Sequence, residues 1–140
     1  MTIPSIVLDT NVLVSALKTR RGAAFRLLSL TGTGLFDIHL SVPLLFEYED
    51  VLRRSEIGIG AADAEAVLDY LCGVARKQEI HFLWRPWLRD PKDDMVLELA
   101  VASACSHIVS FNTADFAGSG KFGIPVVRPA DFLQSLEVKP

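Results

Sequence analysis

The sequence contains few cysteines and no excess of basic residues. Its two cysteines, Cys72 and Cys105, fit no metal-ligand spacing and no disulfide framework, so we expect them to be core thiols. Lysine and arginine together number 14 against 17 acidic residues, which gives a net charge of −3. This balance argues against a protein that coats nucleic acid over a broad basic surface. It leaves open an enzyme that holds nucleic acid through metal ions and a few local basic groups.

Long apolar runs are also absent. No run approaches the roughly 18 residues that span a bilayer, and residues 1–7 lack the basic and apolar regions of a secretory signal. We therefore expect a cytoplasmic protein without a membrane segment. The 140 residues are 50% hydrophobic and 22% charged, and they contain no internal repeat or linker. They predict a single folded domain over residues 1–140.

Short apolar runs alternate with segments of helical periodicity along the chain. We predict strands at residues 5–8, 36–40, 80–84, 108–111 and 125–127, and helices at residues 12–18, 23–30, 43–54, 61–77, 93–106 and 129–136. This βαβα order indicates an α/β fold with a mostly parallel sheet and helices on both faces. Sites in such sheets form outside the carboxyl ends of the strands. Asp9, Asn112 and Asp115 fall at that edge.

Two acidic residues have positions that are unusual for exposed surface carboxylates and suggest a structural or functional role. Asp9 follows the first predicted strand, where it suits both a helix N-cap and a site carboxylate, and the sequence does not separate the two roles. Glu47 lies on the apolar side of its helix, with Leu44 at i−3 and Val51 at i+4. A carboxylate there is costly unless it is paired, bound to a metal or close enough to the margin to reach water.

The other acids of that helix have simple partners. Glu49 and Asp50 have Arg53 and Arg54 at i+4, which predicts two exposed ion pairs.

Residues 90–94, with the sequence DPKDD, open the next long helix with three acids. Asp90 suits the N-cap, and acids in the first turn also complement the helix dipole. Asp93 shares a face with Leu97 and Ala100, so we expect it to point toward the core side, and Asp94 to turn away. We therefore assign capping to Asp90 and chemistry to Asp93.

Several carboxylates in one crevice repel one another and raise one another's pKa unless a cation neutralises them. Mg²⁺ and Mn²⁺ prefer such oxygen ligands. The histidines, His39, His81 and His107, are scattered beside apolar residues, and we expect them to be structural. The chain has no glycine-rich phosphate loop. A carboxylate-held metal without a nucleotide motif indicates phosphodiester hydrolysis, in which the metal activates a water and stabilises the departing oxygen.

Four segments, taken in order, resemble the motifs of PIN domains, and in particular of the VapC-like toxins of toxin–antitoxin pairs. They are residues 6–13 (IVLDTNVL), 41–53 (SVPLLFEYEDVLR), 90–100 (DPKDDMVLELA) and 108–116 (IVSFNTADF). Residues 123–133 (GIPVVRPADFL) resemble the last strand and helix of the family. The resemblance implies a three-layer α/β/α sandwich of the 5′-nuclease-like type. It also implies a ribonuclease dependent on Mg²⁺ or Mn²⁺, with an RNA substrate, a homodimer and a cognate antitoxin protein as partners.

The resemblance places the catalytic and metal-binding carboxylates on Asp9, Glu47 and Asp93. Many PIN domains have Thr-x-Asp after the fourth strand, where this chain has Ser110 and Asn112. Asparagine carries no charge, so we expect Asp115 to supply the fourth carboxylate. The same motifs give supporting roles to Asn11, Ser110 and Asn112.

The sequence leaves alternatives for several basic and aromatic residues and for the activity itself. The basic turn at residues 18–21 and the pair Arg53–Arg54 are candidates for phosphate contacts or simply solvated surface, and Trp84 and Trp87 are candidates for base stacking or for packing. Because of Asn112, a PIN-like module that binds RNA or protein without efficient cleavage stays an alternative. A haloacid-dehalogenase-type phosphatase is disfavoured because Asn11 stands where that family needs a second acid.

Overall fold

Five parallel strands form one sheet, in the order β3-β2-β1-β4-β5, in this computed structural model, which describes residues 3–80, 88 and 90–136. The strands are β1 (Ser5–Leu8), β2 (Asp37–Leu40), β3 (Arg76–Lys77), β4 (His107–Val109) and β5 (Val126–Val127). All four neighbouring pairs are parallel, which confirms the sheet type expected from the sequence. The chain moves outward from β1 to β3 and then returns to β4, so the strand order reverses beside β1. A crevice opens at such a reversal point.

Six α-helices cover the sheet. They are α1 (Thr10–Lys18), α2 (Ala23–Leu30), α3 (Val42–Leu52), α4 (Ala61–Val74), α5 (Pro91–Ala102) and α6 (Pro129–Leu136), with 3-10 segments at Ser55–Ile57 and Thr113–Phe122. The rule that parallel crossovers are right-handed expects α1 to α4 on one face and α5 on the other, because the chain crosses the sheet in opposite directions before and after β3. α5 packs on β1, β2 and β4, and α6 packs on α2. The three-layer α/β/α fold is therefore confirmed.

The core lies on both faces of β1. Ile6, Val7 and Leu8 are all buried, as expected for a central strand covered by helices on each side. α5 is equally enclosed, because residues 96–100 are buried without a gap. This enclosure overturns one expectation. Asp94, predicted to turn away from the core, has no exposed surface, and its Oδ1 accepts a hydrogen bond from the backbone N–H of Leu88 at 2.9 Å.

The predicted helix at residues 61–77 is too long. α4 ends at Val74, Ala75 adopts an extended conformation (φ −75°, ψ 150°), and Arg76 and Lys77 then form β3. Both strand residues are exposed and show no apolar alternation. The strand exists because β2 offers a free edge, where His39 pairs with Arg76 and Leu40 with Lys77. Sequence periodicity does not report such a contact.

Smaller differences concern the ends of elements. α1 begins at Thr10 rather than at residue 12, and α5 spans Pro91–Ala102 rather than residues 93–106. Ala104 has a positive φ of 52°, and the N–H of Cys105 bonds the carbonyl of Ala100, which ends the helix early. Residues 81–84 of the predicted third strand lie outside the described residues, as do Trp87 and the candidates His81 and Trp84. Within the described ranges, no helix has both the length and the apolar character needed to cross a bilayer.

Candidate active site

The carboxyl ends of β1 and β4 bring Asp9 and Ser110 together at the reversal point of the sheet. Leu8 pairs with Val109 across the two strands, and the N–H of Asp9 bonds the carbonyl of Val109 at 2.9 Å. Asp9 is only 9% exposed. It is the N-cap of α1, since its Oδ1 accepts the N–H of Thr10 at 2.8 Å. The capping role left open by the sequence is therefore confirmed, and the second oxygen remains for other contacts.

Ser110 joins three polar groups at this edge. Its side chain is fully buried, and its hydroxyl donates to Oδ2 of Asp9 at 2.7 Å. The hydroxyl oxygen of Ser110 in turn accepts the N–H of Asn112 at 2.9 Å and the side-chain amide of Asn11 at 3.4 Å. The carbonyl oxygen of the Asn11 side chain accepts the N–H of Phe111 at 3.3 Å. The three predicted supporting residues therefore belong to one network that holds the Asp9 carboxylate in place.

Glu47 lies on α3 at the margin of the core. It is half-buried between the exposed Phe46 and the buried Tyr48. Burial raises the pKa of the Glu47 carboxyl, while the positive charges of Lys92 and Arg54 lower it and the negative charges of Asp50 and Asp9 raise it. Of the predicted site carboxylates, Asp9 is the one whose charge acts on Glu47.

Tyr48 ties α3 to the end of β1. Its ring is buried, and its hydroxyl donates to the carbonyl of Leu8 at 2.5 Å, one residue before Asp9. Burial raises the pKa of this hydroxyl, and the charge of Asp9 raises it further, so it stays a hydrogen-bond donor. The sequence does not indicate this hydrogen bond, because an aromatic residue one turn after Leu44 on a helix is typical of the hydrophobic core.

Replacing Tyr48 by phenylalanine should lower the free energy of unfolding by about 1–3 kcal/mol, because the buried carbonyl of Leu8 loses its side-chain donor. Urea denaturation of both proteins measures the difference. Tyr70→Phe is the matched control, since the Tyr70 hydroxyl also bonds a backbone carbonyl, that of Thr31, but its ring is 45% exposed. Equal losses in the two variants would contradict a special contribution from the buried pair.

Asp93 and Asp90 lie at the start of α5. Asp90 is the N-cap, and its Oδ1 accepts the N–H of Lys92 at 2.9 Å, as predicted. The Asp93 side chain is half-buried. Burial is the largest cause that raises the pKa of Asp93 to about 7, followed by the charges of Asp9, Asp90, Asp115 and Asp94. A carboxyl group shifted so far indicates a crowded acidic environment.

Asp115 lies in the first turn of the 3-10 segment Thr113–Phe122, where its N–H bonds the carbonyl of Asn112 at 3.0 Å. The side chain is exposed, and its charge raises the pKa of both Asp9 and Asp93. The place of the Asp115 carboxylate among the metal ligands stays a prediction. Asn112 is exposed, and its side chain makes no capping hydrogen bond.

The predicted carboxylates act on one another in pairs: the charges of Asp9 and Asp115 raise the pKa of Asp93, and the charge of Asp9 raises that of Glu47. Burial raises the pKa of Asp9, hydrogen bonds from Ser110 and Thr10 lower it, and the charges of Asp115 and Asp90 raise it. These groups come from β1, α3, α5 and the segment after β4. Their mutual repulsion is the condition under which a bound cation is most favourable.

The chemistry of this donor set fits a hard divalent cation. All four candidate ligands offer carboxylate oxygens, the type that Mg²⁺ and Mn²⁺ prefer, and no thiolate or imidazole competes among them. Within residues 3–80, 88 and 90–136, however, no three His, Cys, Asp or Glu side chains are arranged to hold one ion. The donor type and charge therefore fit the ion, while close convergence of the side chains is not part of this conformation.

Basic groups beside the crevice are few. Lys92 is exposed and acts electrostatically on Glu47, although the sequence analysis did not select it. Arg53 pairs with Glu49 at 3.2 Å and Arg54 with Asp50 at 2.7 Å, which confirms the two predicted ion pairs.

The other basic candidates and the remaining described histidines lie elsewhere in the fold. The basic turn at residues 18–21 is exposed at the far end of α1 from Asp9. His39 lies within β2, and His107 lies at the amino end of β4, opposite the carboxylate edge.

Comparison with known proteins agrees with this geometry. A sequence model of the PIN domain matches residues 5–114, which is most of the chain. No curated protein shows significant similarity to it. Among solved structures, a chain from VapBC2 of Rickettsia felis, bound to a DNA fragment from their promoter, is similar with a TM-score of 0.58 at 14% identity. The similarity covers 89% of this chain and 97% of that one, and at such low identity it shows the fold alone. From the extent of the family match, the chain belongs to the PIN-domain family.

Proposed function

We propose that this protein is an endoribonuclease dependent on Mg²⁺ or Mn²⁺, and the toxin of a toxin–antitoxin pair. PIN domains are generally nucleases, and the family match supports that general activity. The observation that carries the proposal is the position of the Asp9 carboxylate, which the buried hydroxyl of Ser110 holds at the reversal point of the sheet. The electrostatic effects of Asp9 on Glu47 and of Asp9 and Asp115 on Asp93 support it. An acidic crevice of this kind is unfavourable by itself and becomes favourable around a divalent cation.

In this proposal the four carboxylates hold the cation. When bound, the ion would supply an activated water and stabilise the charge of the departing oxygen. Ser110 and the N–H of Thr10 orient the two oxygens of Asp9, and Asn11 braces Ser110. Such outer contacts keep carboxylate ligands in a defined geometry. Lys92, near Glu47, is placed to attract a phosphate toward the crevice.

The partner proposals rest on the fold and on the sequence motifs. We propose a cognate antitoxin protein and a homodimer, because the fold resembles that of a chain crystallised as VapBC2 and because the motifs resemble those of VapC-like toxins. Sedimentation of the purified protein tests the dimer. Expression in a bacterial host tests the toxin role: the wild type should arrest growth, and an inactive variant expressed in its place should not.

The decisive test is cleavage of a mixed pool of structured RNA by the wild type and by Glu47→Gln, each with EDTA, Mg²⁺ or Mn²⁺. We expect cutting by the wild type only with a metal, and a loss of at least about 100-fold in Glu47→Gln, since even outer partners of metal sites contribute about 10–100-fold. Glu47 suits this test because, among the described residues, its side chain makes no hydrogen bond that glutamine would break.

Glu49→Gln is the matched control on the same helix, because Glu49 forms only an exposed pair with Arg53. It should cut like the wild type. RNA that stays intact with every metal would contradict the nuclease proposal. Binding of the same RNA without cutting would then favour the alternative, a PIN-like module that binds RNA or a protein partner, which the uncharged Asn112 already suggested.

A further inference from the structure

Within the described residues, a single arginine, Arg128, lies on the β5 side of the acidic crevice. Val109 pairs with Val127, and the N–H of Ser110 bonds the carbonyl of Val127 at 2.9 Å, so Arg128 follows β5 directly beside Ser110. Neighbouring strands are about 4.8 Å apart, which places the end of β5 about 10 Å from the end of β1. Arg128 therefore lies at the carboxylate edge.

The Arg128 side chain is held by Phe111 instead of by a carboxylate. Its Nη1 donates to the carbonyl of Phe111 at 3.2 Å, and its guanidinium carbon lies 5.4 Å from the centre of the Phe111 ring. Its backbone is also fixed, because its carbonyl accepts the N–H of Phe132 at 3.0 Å. Within the part of the chain that the structure describes, no acidic side chain forms an ion pair with Arg128.

This arrangement leaves most of the guanidinium donors exposed. Arginine has five N–H donors, and the carbonyl of Phe111 uses one of them. The side chain is exposed. A guanidinium fixed by stacking loses less freedom when it binds a phosphate, and its planar fork matches phosphate oxygens.

We propose that Arg128, held on Phe111, binds a backbone phosphate of the RNA strand whose scissile bond lies at the carboxylates. The proposal rests on the proposed ribonuclease function for its substrate. The ends of β1 and β5 lie about 10 Å apart, so the phosphate at Arg128 is a neighbour of the scissile phosphate and not the scissile phosphate itself. Arg128 acts by positioning the strand and does not take part in bond cleavage.

The test measures binding of a short fluorescein-labelled single-stranded RNA in the Asp93→Asn background with Mg²⁺, where cutting does not interfere. Adding Arg128→Gln should raise the Kd about 3–10-fold. It should also reduce the slope of log K against log salt by about 0.7, the value for one phosphate contact on a single strand. Arg128→Lys should restore the slope but only part of the affinity, because it keeps the charge and loses the stacked fork.

Arg76→Gln is the matched control. It removes one exposed arginine whose partner, Asp37, lies at the amino end of β2, opposite the crevice. It should leave both the Kd and the salt slope unchanged. In cleavage by the otherwise wild-type protein, Arg128→Gln should raise KM with kcat within about twofold, the pattern of lost uniform binding.

The two proposals fail in different ways. If Arg128→Gln binds RNA with the affinity and salt slope of its parent, or if the parent binds no RNA, the phosphate contact at Arg128 is wrong. If RNA binding depends on Arg128 while the wild type cuts nothing with any metal, the contact is correct and only the nuclease proposal fails.

Discussion

Asp93→Asn is expected to reduce metal-dependent RNA cleavage by at least about 100-fold while making the metal-free protein more stable at pH 8. The loss of activity follows from removing a proposed metal ligand, which costs more than the 10–100-fold of an outer contact. The gain in stability follows because burial and four neighbouring acids raise the pKa of Asp93 to about 7. At pH 8 the ionised Asp93 carboxylate therefore destabilises the folded state, and asparagine removes that charge with little change in shape.

The sign of the pH dependence can be stated. In the unfolded chain the Asp93 carboxyl ionises near 3.8, and in the folded protein near 7. The folded state therefore holds more protons between these values, and its stability falls as the pH rises through them. In EDTA, the melting temperature of Asp93→Asn minus that of the wild type should increase by a few degrees between about pH 4 and pH 8. A pH-independent difference would contradict the raised pKa of Asp93.

Asp63→Asn is the control for both measurements. Asp63 also lies in the first turn of a helix, α4, and is exposed. It should retain full activity, and its stability difference from the wild type should not grow over the same pH range. Added Mg²⁺ should raise the melting temperature of the wild type more than that of Asp93→Asn, because only the former keeps all four carboxylates.

Ser110→Ala should lower the free energy of unfolding by about 1–3 kcal/mol, because it removes a buried hydroxyl that serves three partners. Oδ2 of Asp9 loses its donor, and the N–H of Asn112 loses its acceptor. The hydrogen bond from Ser110 lowers the pKa of Asp9 against the effect of burial. Without it, the Asp9 carboxylate is less stable in its charged form and less well oriented, so we expect cleavage to fall about 10–100-fold.

Ser103→Ala provides a matched control for Ser110→Ala. The hydroxyl of Ser103 is buried and makes no hydrogen bond within the described part of the chain. Its removal should therefore leave stability unchanged or slightly improved. Urea denaturation measures both variants, and RNA cleavage is then compared under conditions where each is folded. Lost stability with unchanged cleavage in Ser110→Ala would assign Ser110 a purely structural role and would contradict its part in orienting Asp9.

Local sequence patterns were enough to predict the elements that carry the site. β1 and α6 have the predicted bounds because a short apolar run and a helical apolar stripe report burial directly. Asp90 was correctly assigned to a helix N-cap, since capping depends on residues only two or three positions apart. The same patterns failed at β3 and at Asp94. There, pairing with the edge of β2 and the burial of α5 in the core decide the structure.

The sequence by itself determined the type and order of the elements, the acidic character of the site and the family of the protein. Only the tertiary structure decided how these groups act together. Ser110 meets Asp9 across 101 positions, Tyr48 reaches Leu8 across 40, and Arg128 reaches Phe111 across 17. Helical and strand periodicities extend over a few residues, whereas these contacts depend on which strands become neighbours in the sheet. Spacing along the chain therefore identifies candidate carboxylates, and strand order determines which side chains orient them.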